Sequence, residues 1–419
     1  MKNRVLTAAI IFLLHFVITT ADDITDQINR RSLELYEEAV QIRRDLHQIP
    51  EPCFSEHRTS AYIRNYLLKL GLSVKSGIAG TGIRAVLTGN RPRPVVAIRC
   101  DMDALPITEK TGLPFSSRNP GFMHACGHDA HMTNGLIAAK ILTGMRRQLP
   151  GTVVFVFQPC EEGTTDGTPS GAHRMLEEGI LQDPPVDLML GLHVLPGLPA
   201  GTVAYREGSL MANVAAVLLE ISGKSSHGAM PHQGIDAIYA SACAIQQFQS
   251  LVSRSRDPNE RAVLTIGTIE GGVAYNVIAE TVTMRGTVRT FSEKTEEMIE
   301  EGMRKIMDGL KRAMGISYRY RFTRSTKFVW NDPPLTRFLI PLFREMLEED
   351  QVIEIDPLTV GEDFSVYSHA IPSFFFLLGA GEGPPLHHPR FSVDETLFRH
   401  GPRLLAAAAV RCLKAWETR

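Results

Sequence analysis

Three apolar runs without polar alternation constrain this chain's fold more than any other feature: Val95-Val96-Ala97-Ile98, Val153-Val154-Phe155-Val156-Phe157 and Leu188-Met189-Leu190-Gly191-Leu192. A strand with one face in water alternates apolar and polar residues, so an unalternating run is buried on both faces. Such strands need helices above and below. The sequence supplies them at helical periodicity over 24–49 (Ile28, Leu35, Ala39, Ile42, Leu46, closed by Pro50), 55–70, 130–145 and 170–178. A fourth apolar run, Phe374–Leu378, lies between a helical stretch over 334–349 and an Ala-Leu-rich one running to Trp416. The pattern predicts an α/β/α domain on a mainly parallel sheet.

The texture changes near Met211. Strand patterns over 213–222, 262–269, 280–288 and 316–322 alternate with helical patterns over 235–252 and 292–314, the second opened by Ser292 as N-cap. The order βαββαβ is the split-βαβ, ferredoxin-like unit. It predicts a small domain over 212–325, inserted into a larger, discontinuous one formed by 22–211 and 326–419.

Composition excludes some functions and suggests a location. A net charge of −2 gives no reason to expect nucleic acid or an anionic membrane surface as partner. At the N-terminus Lys2 and Arg4 precede an apolar run over 5–18, and Thr19-Thr20-Ala21 offers small residues before Asp22. This has the form of a signal peptide over 1–21, and the run is short for a membrane span. The expectation is therefore export to the periplasm or exterior, with no stable span after cleavage. The ER is disfavoured because no retention signal ends the chain. Six scattered cysteines are no disulfide framework. Cys100 and Cys160 each follow an apolar strand, so they are read either as two buried thiols or as a bridged pair.

The chemistry gathers just after the buried runs, where open α/β sheets bind ligands. Arg99-Cys100-Asp101-Met102-Asp103 follows the first run and Gln158-Pro159-Cys160-Glu161-Glu162-Gly163 the second. His193 ends the third, and Leu386-His387-His388-Pro389 follows the last. Between them His124-Ala125-Cys126-Gly127-His128-Asp129-Ala130-His131 opens a helix. Cys126 and His128, one glycine apart, are placed to face one ion. Glu162, His193 and His387 complete a set of S, N and O donors suited to Zn²⁺ or a similar divalent cation. Adjacent glutamates allow one to ligate while the other acts as general base.

The stretches Asp101–Pro106, His124–Asp129, Gln158–Gly163, Gly191-Leu192-His193 and Leu386–Pro389 resemble the motifs of one amidohydrolase family. It includes hippurate hydrolase, plant auxin-conjugate hydrolases and N-acyl-L-amino-acid amidohydrolases, related to carboxypeptidase G and aminoacylase. The resemblance covers essentially the whole chain after the leader. It implies that Cys126, His128, Glu162, His193 and His387 hold two divalent metal ions (Zn²⁺ or Mn²⁺ first, Co²⁺ or Ni²⁺ also compatible). It implies that Glu161 is the general acid/base, that Asp103 supports the site, and that His227 stabilises the oxyanion. Asn276, Arg289 and Gly361 are implied to bind the substrate carboxylate, and the inserted domain to serve as lid and dimerisation surface. The implied reaction is amide hydrolysis of an N-acyl or N-aroyl amino acid. A dipeptidase or carboxypeptidase using the same residues is the nearest alternative, and a non-catalytic exported binding protein the remote one. Two departures stand out. Cys100 and Cys160 occupy places where Ala is usual, and the loop 164–169 departs from the family's Gly-rich run.

Overall fold

A computed structural model describes residues 23–163 and 168–415. The signal-peptide segment 1–21, loop residues 164–167 and Trp416 lie outside the described residues.

The larger unit holds strands β1 (Ser73–Ile78), β2 (Gly82–Thr88), β3 (Val95–Asp101), β4 (Thr152–Gln158), β5 (Leu188–Leu195) and β6 (Val203–Tyr205). The smaller holds β7 (Asn213–Ser222), β8 (Ala262–Gly271), β9 (Thr281–Thr290) and β10 (Ser317–Thr326). The chain then returns to the larger unit with β11 (Val352–Glu354) and β12 (Ser373–Gly379).

Eight strands form one sheet in the order β1-β2-β4-β3-β5-β12-β6-β11. Its centre, β4-β3-β5-β12, is parallel throughout. These are the four unalternating runs of the sequence. Every residue of β3, β4 and β12 is buried, as is all of β5 up to its last residue. The chain passes from β3 to β4 on one side and then to β5 on the other. The carboxyl ends of these strands thus flank a point where strand order reverses, the ordinary place for a ligand in such sheets. The flanks of the sheet, β1, β2, β6 and β11, go beyond the sequence expectation, and β1 and β2 extend it antiparallel. The helix Tyr36–His47 buries Ala39, Ile42 and Leu46, and His128–Thr143 is buried on nearly every side.

In the smaller unit an antiparallel sheet runs β10-β7-β9-β8, with helices Ala237–Ser250 and Glu293–Met314. Val217, Leu219 and Ile221 of β7 pack with Phe248, Met284, Ile299, Met303 and Met307 in a core of its own. Ser292 caps the second helix, its Oγ accepting from the Thr295 amide at 3.2 Å, and Gly315 at φ 73° ends it. This unit comprises Arg206–Asn331 together with Asp356–His369.

Candidate metal centre and active site

Cys126, His128, Glu161, Glu162, His193 and His387 all lie in the larger unit, and the fold brings them together. Sulfur, imidazole and carboxylate donors form overlapping groups: Cys126/His128/His193, Cys126/Glu162/His387 and His128/Glu161/Glu162. Within each group the ligand atoms lie within 4.8 Å of one another. Gly127 makes the first group possible. At φ 84° it takes the left-handed conformation that turns both of its neighbours inward.

Hydrogen bonds fix which atom each histidine presents. His128 donates from Nδ1 to the Asp103 carbonyl at 2.8 Å, and its Nε2 is buried with no hydrogen-bond partner. His193 donates from Nδ1 to the Val194 carbonyl at 2.7 Å, which turns Nε2 to within 3.3 Å of the Cys126 Sγ. Holding Nδ1–H on a carbonyl leaves the Nε2 lone pair to ligate. Glu162 Oε1 lies 3.3 Å from His387 Nε2. His388, the competing imidazole, is exposed and accepts from the Arg390 amide at 3.1 Å; it joins none of the donor groups.

Asp103 sets the turn that carries Glu161 and Glu162. Its two carboxylate oxygens accept from the Glu161 and Glu162 amides at 2.9 and 3.1 Å. One buried side chain thus orients both glutamates, while its carbonyl orients His128. Glu161 Oε2 stands 3.9 Å from His128 Nε2.

The electrostatics favour a cation. Burial would lower the His128 pKa, but Asp101, Asp103 and Glu162 push it up to about 10. Burial raises the Cys126 thiol well above its usual value, with Glu162, Glu161 and Asp101 adding to the rise. Such a thiol becomes a thiolate only beside a strong positive charge. An orphaned imidazole nitrogen, a suppressed thiol and crowded carboxylates are the donor set that divalent ions satisfy. By contrast, His131 is a structural residue although Asp101/His128/His131 also cluster. Its Nδ1 meets Asp101 at 2.6 Å and its Nε2 accepts from the Val194 amide at 2.9 Å, so neither nitrogen is spare.

A support behind the site escaped the sequence reading. Asp129 accepts from Arg43 Nε at 2.9 Å and from His47 Nδ1 at 2.7 Å, all three side chains about 1% exposed. The visible signal was the pair Arg43 and His47, one turn apart on the helix face that also carries Ala39, Val40, Ile42 and Leu46. Burial would raise the Asp129 carboxyl, yet Arg43 and His47 hold it far below the usual range. Its stabilising contribution is therefore present above the unfolded value of about 4 and is lost as pH falls through the depressed folded value. Arg43→Ala removes the guanidinium from a buried carboxylate, leaving His47 as its remaining side-chain partner, and is expected to cost about 3–5 kcal/mol at neutral pH. Urea melts read this directly; a loss under about 1 kcal/mol would mean water replaces the guanidinium.

The bridged reading of Cys100 and Cys160 is corrected, and of the two only Cys100 is the free buried thiol of the other reading. Cys160 is bonded to Cys53. Cys100 points at the helix His128–Thr143, where Gly135 leaves room for it. A Cβ on Gly135 would lie 2.4 Å from the Cys100 Sγ.

The remaining candidates belong to the smaller unit. His227 and Asn276 sit on neighbouring loops, joined by a His227–Val277 bridge and a Gly228 amide donating to the Asn276 carbonyl at 2.7 Å. Arg289, half-buried on β9, bonds Thr287 and the Val288 carbonyl. Gly361 lies against Val214, where a Cβ would come within 2.5 Å of a methyl group.

Fold and donor set together define an α/β metallohydrolase class. Residues 97–411 match Peptidase family M20/M25/M40, and the chain belongs to this family; it is a hydrolase of amide bonds. It is 36% identical over 402 residues to an N-acetyl-L-cysteine deacetylase of Bacillus subtilis, covering 96% of this chain and 94% of that one. It is 38% identical over 364 residues to the N-acetyldiaminopimelate deacetylase of the same organism, covering 86% and 94%. Among solved structures, the Bacillus subtilis YxeP protein, described as a dinuclear metal binding peptidase of family M20, superimposes with a TM-score of 0.80. The identity is 34%, over 91% of this chain and 99% of that one.

These comparisons overturn the expectation of export. The relatives it matches over most of its length are Bacillus deacetylases. The leader-like run lies outside the described residues. No described helix is long and apolar enough to cross a membrane.

Proposed function

We propose that this enzyme hydrolyses the amide of N-acyl L-amino acids, releasing a carboxylic acid and a free amino acid. Cys126, His128, Glu162, His193 and His387 hold two divalent ions, Zn²⁺ or Mn²⁺ first. The observation that carries this is the convergence of those donors beside Glu161 with a buried His128 Nε2 that has no hydrogen-bond partner. The two deacetylase relatives support the substrate class.

Bound ions would polarise the carbonyl and acidify the attacking water. Glu161 takes the proton from that water and delivers it to the leaving nitrogen. Asp103 keeps the Glu161 and Glu162 amides in place while the proton moves. His227 donates to the developing oxyanion. Arg289 pairs with the free carboxylate of the amino-acid half, a geometry suited to a planar guanidinium. Gly361 lies against Val214, the register partner of Arg289, while Asn276, also proposed to contact the carboxylate, sits in the loop at the far end of β9.

A homodimer through the smaller unit accords with its surface. Edge strand β8 exposes Val263 and Ile269, and the helix Ala237–Ser250 exposes Ile238 and Tyr239. Unpaired edges and clustered apolar residues of this kind favour association. A solution mass of one chain would remove it.

The functional test is a hydrolysis screen of metal-loaded protein against N-acetyl, N-benzoyl and indole-acetyl amino acids alongside dipeptides. Acyl amino acids are expected to be cleaved with the higher kcat/KM. A clear preference for dipeptides would reassign the chain to peptidase action.

A further inference from the structure

The turn that carries Glu161 and Glu162 is covalently tied to a distant segment. Cys160, the residue before Glu161, is bonded to Cys53, 107 residues earlier. Cys160 sits at φ 50°, a left-handed conformation that side chains with a Cβ disfavour. Four hydrogen bonds hold the turn besides the sulfur bridge. The Cys160 amide donates to Glu56 Oε1 at 3.0 Å, its carbonyl accepts from the Gly171 amide at 2.9 Å, and the next two amides are fixed on Asp103. The Cys53 segment is itself anchored. The Phe54 amide donates to the same Glu56 oxygen at 3.0 Å, and Glu51 accepts from the Arg58 and Thr59 amides. The bridge thus joins a fixed post to a turn in an unfavourable conformation. Its two ends differ in access: Cys160 is fully buried, while Cys53 is partly exposed.

We propose that the Cys53–Cys160 disulfide is a redox latch on the catalytic turn: closed, it holds Glu161 and Glu162 in their working positions, and reduction by a dithiol relaxes them. This rests on the roles given above to those two glutamates. A thiolate of the dithiol attacks the accessible Cys53 sulfur, and the S–S bond breaks with the electron pair leaving on Cys160, which takes up a proton. The second thiol of the dithiol then displaces Cys53, closing a cyclic disulfide. Two electrons and two protons have passed to the enzyme and the dithiol is oxidised by the same amount. A low-molecular-weight disulfide reverses the exchange.

With the latch open, Cys160 is free to leave its left-handed conformation, and both the Glu162 ligand and the Glu161 base become less well placed. The test uses the full-length, metal-loaded enzyme, oxidised and then reduced with a water-soluble trialkylphosphine, which does not compete for the ions as dithiols do. Mass spectrometry establishes the thiol state, and metal release into a chromogenic chelator is followed beside turnover. Reduction is expected to speed metal release and lower kcat by about five- to thirty-fold, with near-ultraviolet dichroism retained and reoxidation restoring both. Cys53→Ser should stand at the reduced level and ignore the phosphine. Equal release rates and kcat in the two states would overturn the latch, as would a Cys53→Ser enzyme that responds like the parent. Global unfolding on reduction would also overturn it, making the bridge a structural staple only. An oxidised enzyme without amidase turnover would instead sink the functional assignment, while the release rates still report on the latch.

Discussion

Glu161→Gln is expected to keep parental metal content and to lose turnover by about 10²–10⁴-fold, the usual contribution of a positioned general base. The substitution is nearly isosteric, and the amide of residue 161 stays on Asp103, so the turn is preserved. What disappears is a carboxylate able to take a proton 3.9 Å from the His128 Nε2. Metal analysis and steady-state kinetics on one preparation decide the matter. Parental turnover would show that another group accepts the proton.

Cys126→Ala has the second large effect, and it acts on binding. Cys126 belongs to two of the donor groups, one reaching His193 and the other Glu162 and His387. Loss of the sulfur therefore weakens both halves of the site at once. Supporting residues one step removed from an ion are worth about 10–100-fold in affinity, so a shared direct ligand should exceed that range. The variant should purify with substoichiometric metal and negligible turnover. If both ions remain stoichiometric, the sulfur is not a ligand and its suppressed acidity needs another explanation.

The sequence revealed Glu162, His193 and His387 because each ends or follows a strand that could only be central, and Cys126 and His128 because they open the helix between two such strands. Val95–Ile98, Val153–Phe157 and Phe374–Leu378 have no polar face to turn to water, so their ends had to converge in one parallel sheet. The sheet margins were illegible for the opposite reason. β1 is mostly exposed and β6 and β11 are three residues long, too short and too mixed to carry a period. The Arg43–Asp129–His47 network and the Cys53–Cys160 bridge were missed because pairing across about a hundred residues leaves no local pattern. Arg43 and His47 read as charge on a helix until Asp129 is placed between them. Cys160 was recognised as an unusual neighbour of Glu161, and the one bridge weighed for it was to Cys100, because that residue too follows a strand. Strand-end position says nothing about which way a side chain points.

The order of the chain has a consequence for biosynthesis. β12 runs between β5 and β6 in the middle of the large sheet, yet it is made only after the whole smaller unit has left the ribosome. At ordinary elongation rates of about 5–20 residues per second, the nascent chain carries Cys126, His128, Glu162 and His193 for many seconds before His387 exists. A growing polypeptide at that stage exposes the flank of β5 and an incomplete set of donors. The complete donor set therefore assembles only when the last central strand slides home.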